Sequence, residues 1–306
     1  MIQTLAFVFP GQGSQFVGML SDLSAKHPII HATFKEASDI LDYDLWELSE
    51  RGPAEKLNLT EFTQPALLAA GVAVWRLWTS QNKNLPAMFA GHSLGEYTAL
   101  VCANSLSFSD AIRLVSLRGQ LMQSAVPEGE GAMAAILGLE DAIVEAICDE
   151  ARRNDVLSPA NYNTVGQVVI AGHTAAVLRG MELAKARGAK RALRLPVSVP
   201  SHCALMKPAA FALDRVLQGI TINAPSIPVI HNVDVALHSN PEEIHSALVE
   251  QLFKPVRWVE TIQFMGSQAI NTVLECGPGS VLSGLNKRIT SELQCHSITL
   301  GEALCP

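Results

Sequence analysis

The fold is decided by residues 87–104, AMFAGHSLGEYTALVCAN, where a short apolar run, a turn between two glycines and a helix of small residues follow one another. Gly91 to Gly95 match Gly-x-Ser-x-Gly, the strand-turn-helix that raises a serine hydroxyl above a sheet. A chance glycine-rich turn would not explain the strand before it or the helix after it. Ser93 is therefore a candidate nucleophile, and the backbone N–H of Leu94 is a candidate oxyanion donor.

The flanking sequence alternates strand and helix patterns. The apolar run at 5–9, LAFVF, predicts a strand buried on both faces, and a long helix is expected to begin near Thr63, with Pro65 in its first turn. This alternation predicts an α/β fold, with a hydrolase-like, mostly parallel sheet flanked by helices.

The pattern changes near residue 127. From there to residue 196 the order is strand, helix, strand, strand, helix, strand, which is typical of a ferredoxin-like unit. We therefore expect two domains. Residues 1–126 and 197–306 would form a discontinuous, hydrolase-like catalytic domain, and residues 127–196 an inserted ferredoxin-like subdomain.

Composition argues against several classes of protein. The net charge of −7 disfavours nucleic acid as the main partner. No run reaches the roughly 18 apolar residues of a membrane helix, and the first residues lack a basic signal-peptide region. The six cysteines have neither zinc-site nor disulfide-framework spacing. We expect a cytoplasmic protein with free thiols and no metal, cofactor or membrane partner.

Two more segments contribute to a candidate acyl-transfer site. FPGQGSQ, residues 9–15, is a second glycine-rich turn, and the N–H of Gln12 is a candidate second oxyanion donor. A dinucleotide-phosphate loop is the alternative, but Phe16 stands where its third glycine belongs. A serine nucleophile needs a base, and His202 lies in a proline-bracketed loop before a helix. His92 competes for that role, although the turn should direct its side chain away from the hydroxyl.

Arg118 lies on the apolar side of its predicted helix. The residues three, four and seven positions away are Ala, Leu, Val, Leu, Met and Ala, whereas Arg113 on the same helix has mostly polar neighbours. A buried guanidinium is costly unless it is paired. Its partner is either an internal Asp or Glu or a substrate carboxylate held by the two-donor fork.

Nine stretches, in order along nearly the whole chain, resemble the bacterial malonyl-CoA:acyl carrier protein transacylases, members of the acyltransferase family of fatty acid and polyketide synthesis. They are FPGQGSQ, GHSLGEYTAL, LRGQLMQ, VPEGEGAMAAILGL, GQVVIAG, VSVPSHCALMKPA, NVDV, QLFKPVRW and ECGPGSVLSGLNKR. The resemblance implies transfer of malonyl from coenzyme A to the phosphopantetheine thiol of acyl carrier protein, for fatty acid biosynthesis. It also implies that Ser93 is malonylated, that His202 is its base and that Arg118 binds the malonyl carboxylate.

The resemblance implies further roles. The N–H groups of Gln12 and Leu94 would form the oxyanion hole, and the main-chain carbonyl of Gln251 would orient the base. Ser201 matches a small residue of the family beside the substrate. His231 departs from the family, which usually has asparagine there, and would alter affinity if it touched the carrier protein or the rim of the pocket.

Acyl carrier proteins are strongly acidic, so the resemblance also implies a basic docking surface. Residues 184–194, AKARGAKRALR, offer Lys185, Arg187, Lys190 and Arg191 for it. A solvated helix face is the alternative interpretation of such a cluster.

Two other functions remain open at this point. A serine hydrolase or thioesterase would share the base and the nucleophile elbow, the turn from Gly91 to Gly95 with Ser93 at its centre, but it predicts a carboxylate that orients His202. A non-catalytic carrier-binding subunit predicts a lost nucleophile or base.

Overall fold

The computed structural model describes residues 4–82, 84–197 and 199–300. Within these ranges the strands are β1 Leu5–Phe9, β2 Met88–Gly91, β3 Gly131–Leu137, β4 Leu157–Thr164, β5 Gln167–His173, β6 Arg191–Arg194, β7 Val229–Ile230, β8 Thr272–Glu275 and β9 Gln294–Ser297. The α-helices are α1 Ser21–Lys26, α2 Pro28–Leu41, α3 Leu45–Arg51, α4 Ala54–Leu57, α5 Thr60–Gln81, α6 Leu94–Cys102, α7 Phe108–Ser124, α8 Asp141–Arg152, α9 Thr174–Ala186, α10 Lys207–Leu217, α11 Pro241–Gln251, α12 Trp258–Ser267 and α13 Val281–Ile289.

The first sheet is parallel, in the order β7-β2-β1-β8-β9. Its central strand, β1, is apolar on both faces because helices cover both. On one face Phe7 makes edge-on contacts with Trp75 and Trp78 of α5, with ring centroids 5.5 and 5.1 Å apart. The expected parallel sheet flanked by helices is confirmed.

The second sheet is antiparallel, in the order β4-β5-β3-β6, with α8 and α9 packed through an apolar cluster of its own. This is the expected ferredoxin-like order. The boundaries at residues 126/127 and 196/197 stay a prediction. β4 of this sheet bonds the segment between α11 and α12, where the N–H of Val256 donates to Ala160 O (2.9 Å) and the N–H of Tyr162 donates to Val256 O (3.0 Å).

One helix begins earlier than the sequence indicated. α5 starts at Thr60, so Pro65 lies inside the helix and not in its first turn. The preceding turn is held by Thr63, whose hydroxyl donates to Leu57 O (2.6 Å) and whose N–H donates to Leu59 O (2.8 Å). The helix therefore tolerates the loss of the one backbone hydrogen bond that a proline cannot donate.

Two helix ends bear directly on the site. α7 begins after Ser107, whose hydroxyl accepts the N–H of Asp110 (3.0 Å) and so fixes the helix that carries Arg118. α11 ends at Gln251, and the last carbonyls of a helix have no partner within it. The carbonyl of Gln251 is thus available to another donor. None of the described helices has both the length and the apolar character to cross a bilayer.

The packing of α5 against α7 can be tested at Gly119, where a Cβ atom would lie 2.6 Å from the Cα atom of Glu61. Gly119→Ala should lower the free energy of unfolding by about 1–3 kcal/mol, because a backbone must move. The control is Gly284→Ala in α13, where an added Cβ would meet nothing within 4 Å. That change should be neutral or stabilising by up to about 1 kcal/mol. Denaturant unfolding measures both, and a Gly119→Ala protein as stable as the unchanged one would contradict this packing.

Candidate active site

Ser93 lies at a strained turn between β2 and α6. Its φ of 52° and ψ of −110° are uncommon for a residue with a side chain. Neither glycine of the turn has space for a side chain. A Cβ atom added to Gly91 would lie 1.8 Å from the carbonyl carbon of Gly95, and one added to Gly95 would lie 2.0 Å from Phe9 O. The two glycines let the turn pack against β1, which fixes the position of the serine.

Asn232 holds the same turn from the other side. Its Oδ1 accepts the N–H of Ser93 (2.7 Å), and its Nδ2 donates to Gly91 O (2.7 Å). Asn232 thus pairs one backbone donor and one backbone acceptor of the turn, so the strained conformation is held by hydrogen bonds as well as by packing.

The hydroxyl of Ser93 pairs with His202. Ser93 Oγ lies 2.8 Å from His202 Nε2, and His202 Nδ1 lies 2.7 Å from Gln251 O. A carbonyl only accepts, so Nδ1 carries the ring proton and donates it. Nε2 is then free to accept the serine proton. His202 itself has a φ of 62°, and its N–H donates to Leu252 O (2.9 Å), which secures it against the end of α11.

The imidazole of His202 is neutral at ordinary pH. Burial, and after it the positive charge of Arg118, lower the pKa of His202 to about 3. A neutral imidazole is the form that can take a proton from a serine. His92, the competing histidine, does not bond Ser93. Its Nε2 lies 2.8 Å from Asn163 Oδ1, and burial lowers its pKa.

The guanidinium of Arg118 is buried, with 1% of the residue exposed. Nη1 donates to Gln64 Oε1 (2.8 Å) and Nη2 to Gln251 Oε1 (2.9 Å), while Nη2 lies 3.5 Å from Ser93 Oγ. Its Cζ atom is 5.2 Å from the ring centroid of Tyr97. Among the described residues, Nε has no hydrogen-bond partner. In the described part of the chain no Asp or Glu forms an ion pair with Arg118, so an internal carboxylate partner is not what the fold provides.

The other expected residues meet at one cavity of about 120 Å³. Gln12, Leu94 and Ser201 line it together with Ser93, His202 and Arg118. The turn that carries Gln12 touches the elbow directly, because a Cβ atom at Gly11 would lie 2.4 Å from His92 O. The cavity continues into a wider groove that Gln12 also lines. The structure thus brings every expected site residue to one place.

Four contributors were not found from the sequence. The amides of Gln64 and Asn232 have no local signal, because their partners are 54 and 139 residues away. The side chain of Gln251 was also missed, since only its carbonyl was expected. Glu96 did have a signal. It is fully buried, and the residues three, four and seven positions after it are Ala, Leu and Ala. The helix-face argument that identified Arg118 would therefore have identified Glu96 as well.

His231 is not at the rim of the cavity. It is completely buried, and its Nδ1 lies 2.7 Å from Glu96 Oε1. Because His231 is buried, it cannot alter the affinity for a carrier protein by touching it.

The cysteines within residues 4–300 do not compete with Ser93 as nucleophiles. The five described cysteines are all buried and unpaired. Burial raises the pKa of the Cys203 thiol, next to His202 in sequence, to about 12. Among the described residues, no group of three or more His, Cys, Asp or Glu side chains is arranged to hold a metal ion. Ser93 is the candidate nucleophile of the cavity, because its hydroxyl lies 2.8 Å from His202 Nε2.

Comparison with known proteins agrees with this geometry. The family model described as acyl transferase domain matches residues 6–299 of the chain. The chain belongs to the acyl transferase family. Among similar members is the malonyl CoA-acyl carrier protein transacylase of Escherichia coli K12, 57% identical over 299 residues, which cover 98% of this chain and 97% of that protein.

Solved structures of acyl transferases superpose closely. An acyl carrier protein S-malonyltransferase from Vibrio cholerae has a TM-score of 0.94 at 56% identity, covering 96% of each chain. A malonyl-transacylase in complex with a type II polyketide synthase acyl-carrier protein has a TM-score of 0.96 at 54% identity, covering 98% of each chain. The expected fold class is confirmed over nearly the full length.

The low pKa of His202 has a kinetic consequence. Labelling of Ser93 by a fluorophosphonate needs the neutral imidazole, so its rate should stay level between about pH 7.5 and 5. Labelling is followed by mass spectrometry, and Ser93→Ala should abolish it. A fall in rate with an apparent pKa near 6.5, the ordinary value for histidine, would show that the base is not held in the neutral form.

Proposed function

We propose that this protein transfers malonyl from coenzyme A to the phosphopantetheine thiol of acyl carrier protein through an ester of Ser93, supplying malonyl groups for fatty acid biosynthesis. The observation that carries the proposal is Arg118. Its buried guanidinium shares a cavity with Ser93 and bonds neutral amides in place of a carboxylate. The names of the similar enzymes from Escherichia coli and Vibrio cholerae support the same substrate and acceptor.

In the first half-reaction Ser93 Oγ attacks the thioester carbonyl while its proton passes to His202 Nε2, 2.8 Å away. The N–H groups of Gln12 and Leu94 receive the oxyanion, a contribution of about 3 kcal/mol for each donor. The C–S bond then breaks, and the imidazolium gives its proton to the thiolate, which leaves as free coenzyme A. Malonyl remains on Ser93.

In the second half-reaction the carrier thiol gives its proton to His202 and its sulfur attacks the ester carbonyl. Collapse of the tetrahedral intermediate breaks the bond to Ser93 Oγ, which takes the proton back. The carbonyl of Gln251 holds the same imidazole nitrogen throughout. The products are the malonyl carrier protein and the original enzyme.

Arg118 gives the reaction its acyl preference. A malonyl carboxylate would take the guanidinium donors that face the cavity, whereas an acetyl group leaves them unpaired. Ser201, which lines the cavity next to the base, is proposed to contact the bound acyl group. A hydrolase would be expected to orient His202 with a carboxylate, but the partner is a carbonyl.

Malonyl-CoA labelling tests the function. The protein is incubated with malonyl-CoA and digested, and the Ser93 peptide is examined by mass spectrometry; phosphopantetheinylated carrier is then added. Malonyl should appear on Ser93 and move to the carrier. Release as free malonate in the presence of carrier would indicate a hydrolase, and the absence of labelling would indicate a binding subunit.

The expected docking surface divides in two. Lys185 is paired with Glu182 and Arg187 with Glu150. Lys190 and Arg191 are exposed, and neither has an ion-pair partner in the described ranges. We propose that the acidic carrier docks on Lys190 and Arg191, which lie at the start of β6.

Charge reversal distinguishes the two halves. Lys190→Glu with Arg191→Glu should raise the KM for carrier about threefold to tenfold and leave the KM for malonyl-CoA unchanged. Lys185→Glu with Arg187→Glu is the matched control, with an expected effect below about twofold because those cations are already paired. An unchanged carrier KM in the first variant would contradict this surface.

The location in the cytoplasm and the exclusion of nucleic acid as a partner stay predictions from the sequence. So does the division of the chain into a discontinuous catalytic domain and an inserted subdomain at the stated boundaries.

A further inference from the structure

The amide of Gln251 links the base to the guanidinium. Its carbonyl on the main chain accepts the proton of His202 Nδ1, while its side-chain Oε1 accepts from Arg118 Nη2 (2.9 Å). The side-chain Nε2 donates to Ser93 O (3.0 Å) and to Glu96 Oε2 (2.8 Å). The orientation of this one amide therefore decides what Arg118 meets.

Glu96 lies under the elbow and is completely buried. Its Oε2 accepts from Gln251 Nε2 and from the N–H of Asn232 (3.0 Å), and its Oε1 contacts His231 Nδ1 (2.7 Å). The carboxylate does not touch the cavity, and it makes no ion pair with Arg118. Neither the reaction nor the binding of malonyl as described above uses it.

An amide has one face that donates and one that accepts. Glu96 Oε2 and Ser93 O are both acceptors, so Gln251 must turn Nε2 toward them. Its Oε1 then has to face Arg118. With the amide reversed, two donors would meet at Arg118 and two acceptors would meet at Glu96, and each mismatch would leave buried polar groups unpaired.

We propose that Glu96 is a positioning residue for malonyl selectivity: it fixes the amide of Gln251 so that Oε1 holds Arg118 in the orientation that receives the acyl carboxylate. The inference rests on the proposed function, since it names a determinant of that transfer. Glu96 acts here as a hydrogen-bond acceptor at a fixed distance, so the length of its side chain is decisive, while its negative charge also favours the charged form of Arg118.

Two conservative substitutions separate reach from charge. Glu96→Gln keeps the length, and its Oε1 can still accept from Gln251 while its Nε2 faces His231. Glu96→Asp keeps the charge but withdraws the acceptor by one methylene, about 1.5 Å, beyond hydrogen-bond distance of Gln251 Nε2. The matched control is Glu275→Asp, which shortens another fully buried carboxylate, one that accepts the N–H groups of Leu282 (3.0 Å) and Ser283 (2.7 Å) at the start of α13.

The readout is the ratio of kcat/KM for malonyl-CoA to that for acetyl-CoA, measured as acyl-Ser93 formation on the full protein. The ratio divides out any loss from a loosened elbow or base, which would affect both acyl groups alike. Glu96→Asp should lower the ratio about tenfold or more, mainly through a higher KM for malonyl-CoA. Glu96→Gln and Glu275→Asp should keep it within about threefold of the unchanged protein.

An unchanged ratio in Glu96→Asp, or equal losses in Glu96→Gln and Glu96→Asp, would overturn the inference. A reduced ratio in Glu275→Asp would do so too, because it would assign the effect to general destabilisation. Failure of the proposed function is distinguishable, since the unchanged protein would then show no malonyl transfer to the carrier at all.

Discussion

The positive charge of Arg118 is buried, and in the described residues no carboxylate lies close enough to form an ion pair with it. A buried charge without an ion-pair partner is expensive, and two amide oxygens, the face of Tyr97 and the nearby charge of Glu96 offset only part of that cost. In the proposed function, the group that completes the pairing is the bound acyl group. An acyl group with its own carboxylate would supply the missing charge, and Arg118 Nη2 lies 3.5 Å from the serine oxygen that would carry that group.

The same charge constrains the base. A carboxylate that oriented His202 would add a negative charge close to Arg118, where the malonyl carboxylate is proposed to bind, and it would raise the pKa of the imidazole. The free carbonyl at the end of α11 fixes the ring without a full charge. Gln251 provides that carbonyl and also bonds Arg118, so base and guanidinium move together if this helix end moves.

Much of this could be predicted from the sequence, because the signals were local. The spacing of apolar residues predicted the strands and helices of both sheets. The motif with a glycine on either side predicted Ser93 as the nucleophile, and the apolar helix face predicted that Arg118 is buried. Gln64, Asn232 and the side chain of Gln251 could not be found in this way, since each acts on a residue more than 50 positions distant and contacts of that kind leave no periodic pattern. The start of α5 was misplaced because Pro65 was taken as a first-turn residue, although the helix tolerates it one turn later.

The measurement that tests this account most directly is acyl preference in Arg118→Ala. Single-turnover acylation of Ser93 should lose about a hundredfold or more in kcat/KM with malonyl-CoA, while acetyl-CoA reacts as fast as before or faster. Equal losses for both thioesters would contradict the account, because they would show that Arg118 supports the fold of the site and not the acyl carboxylate.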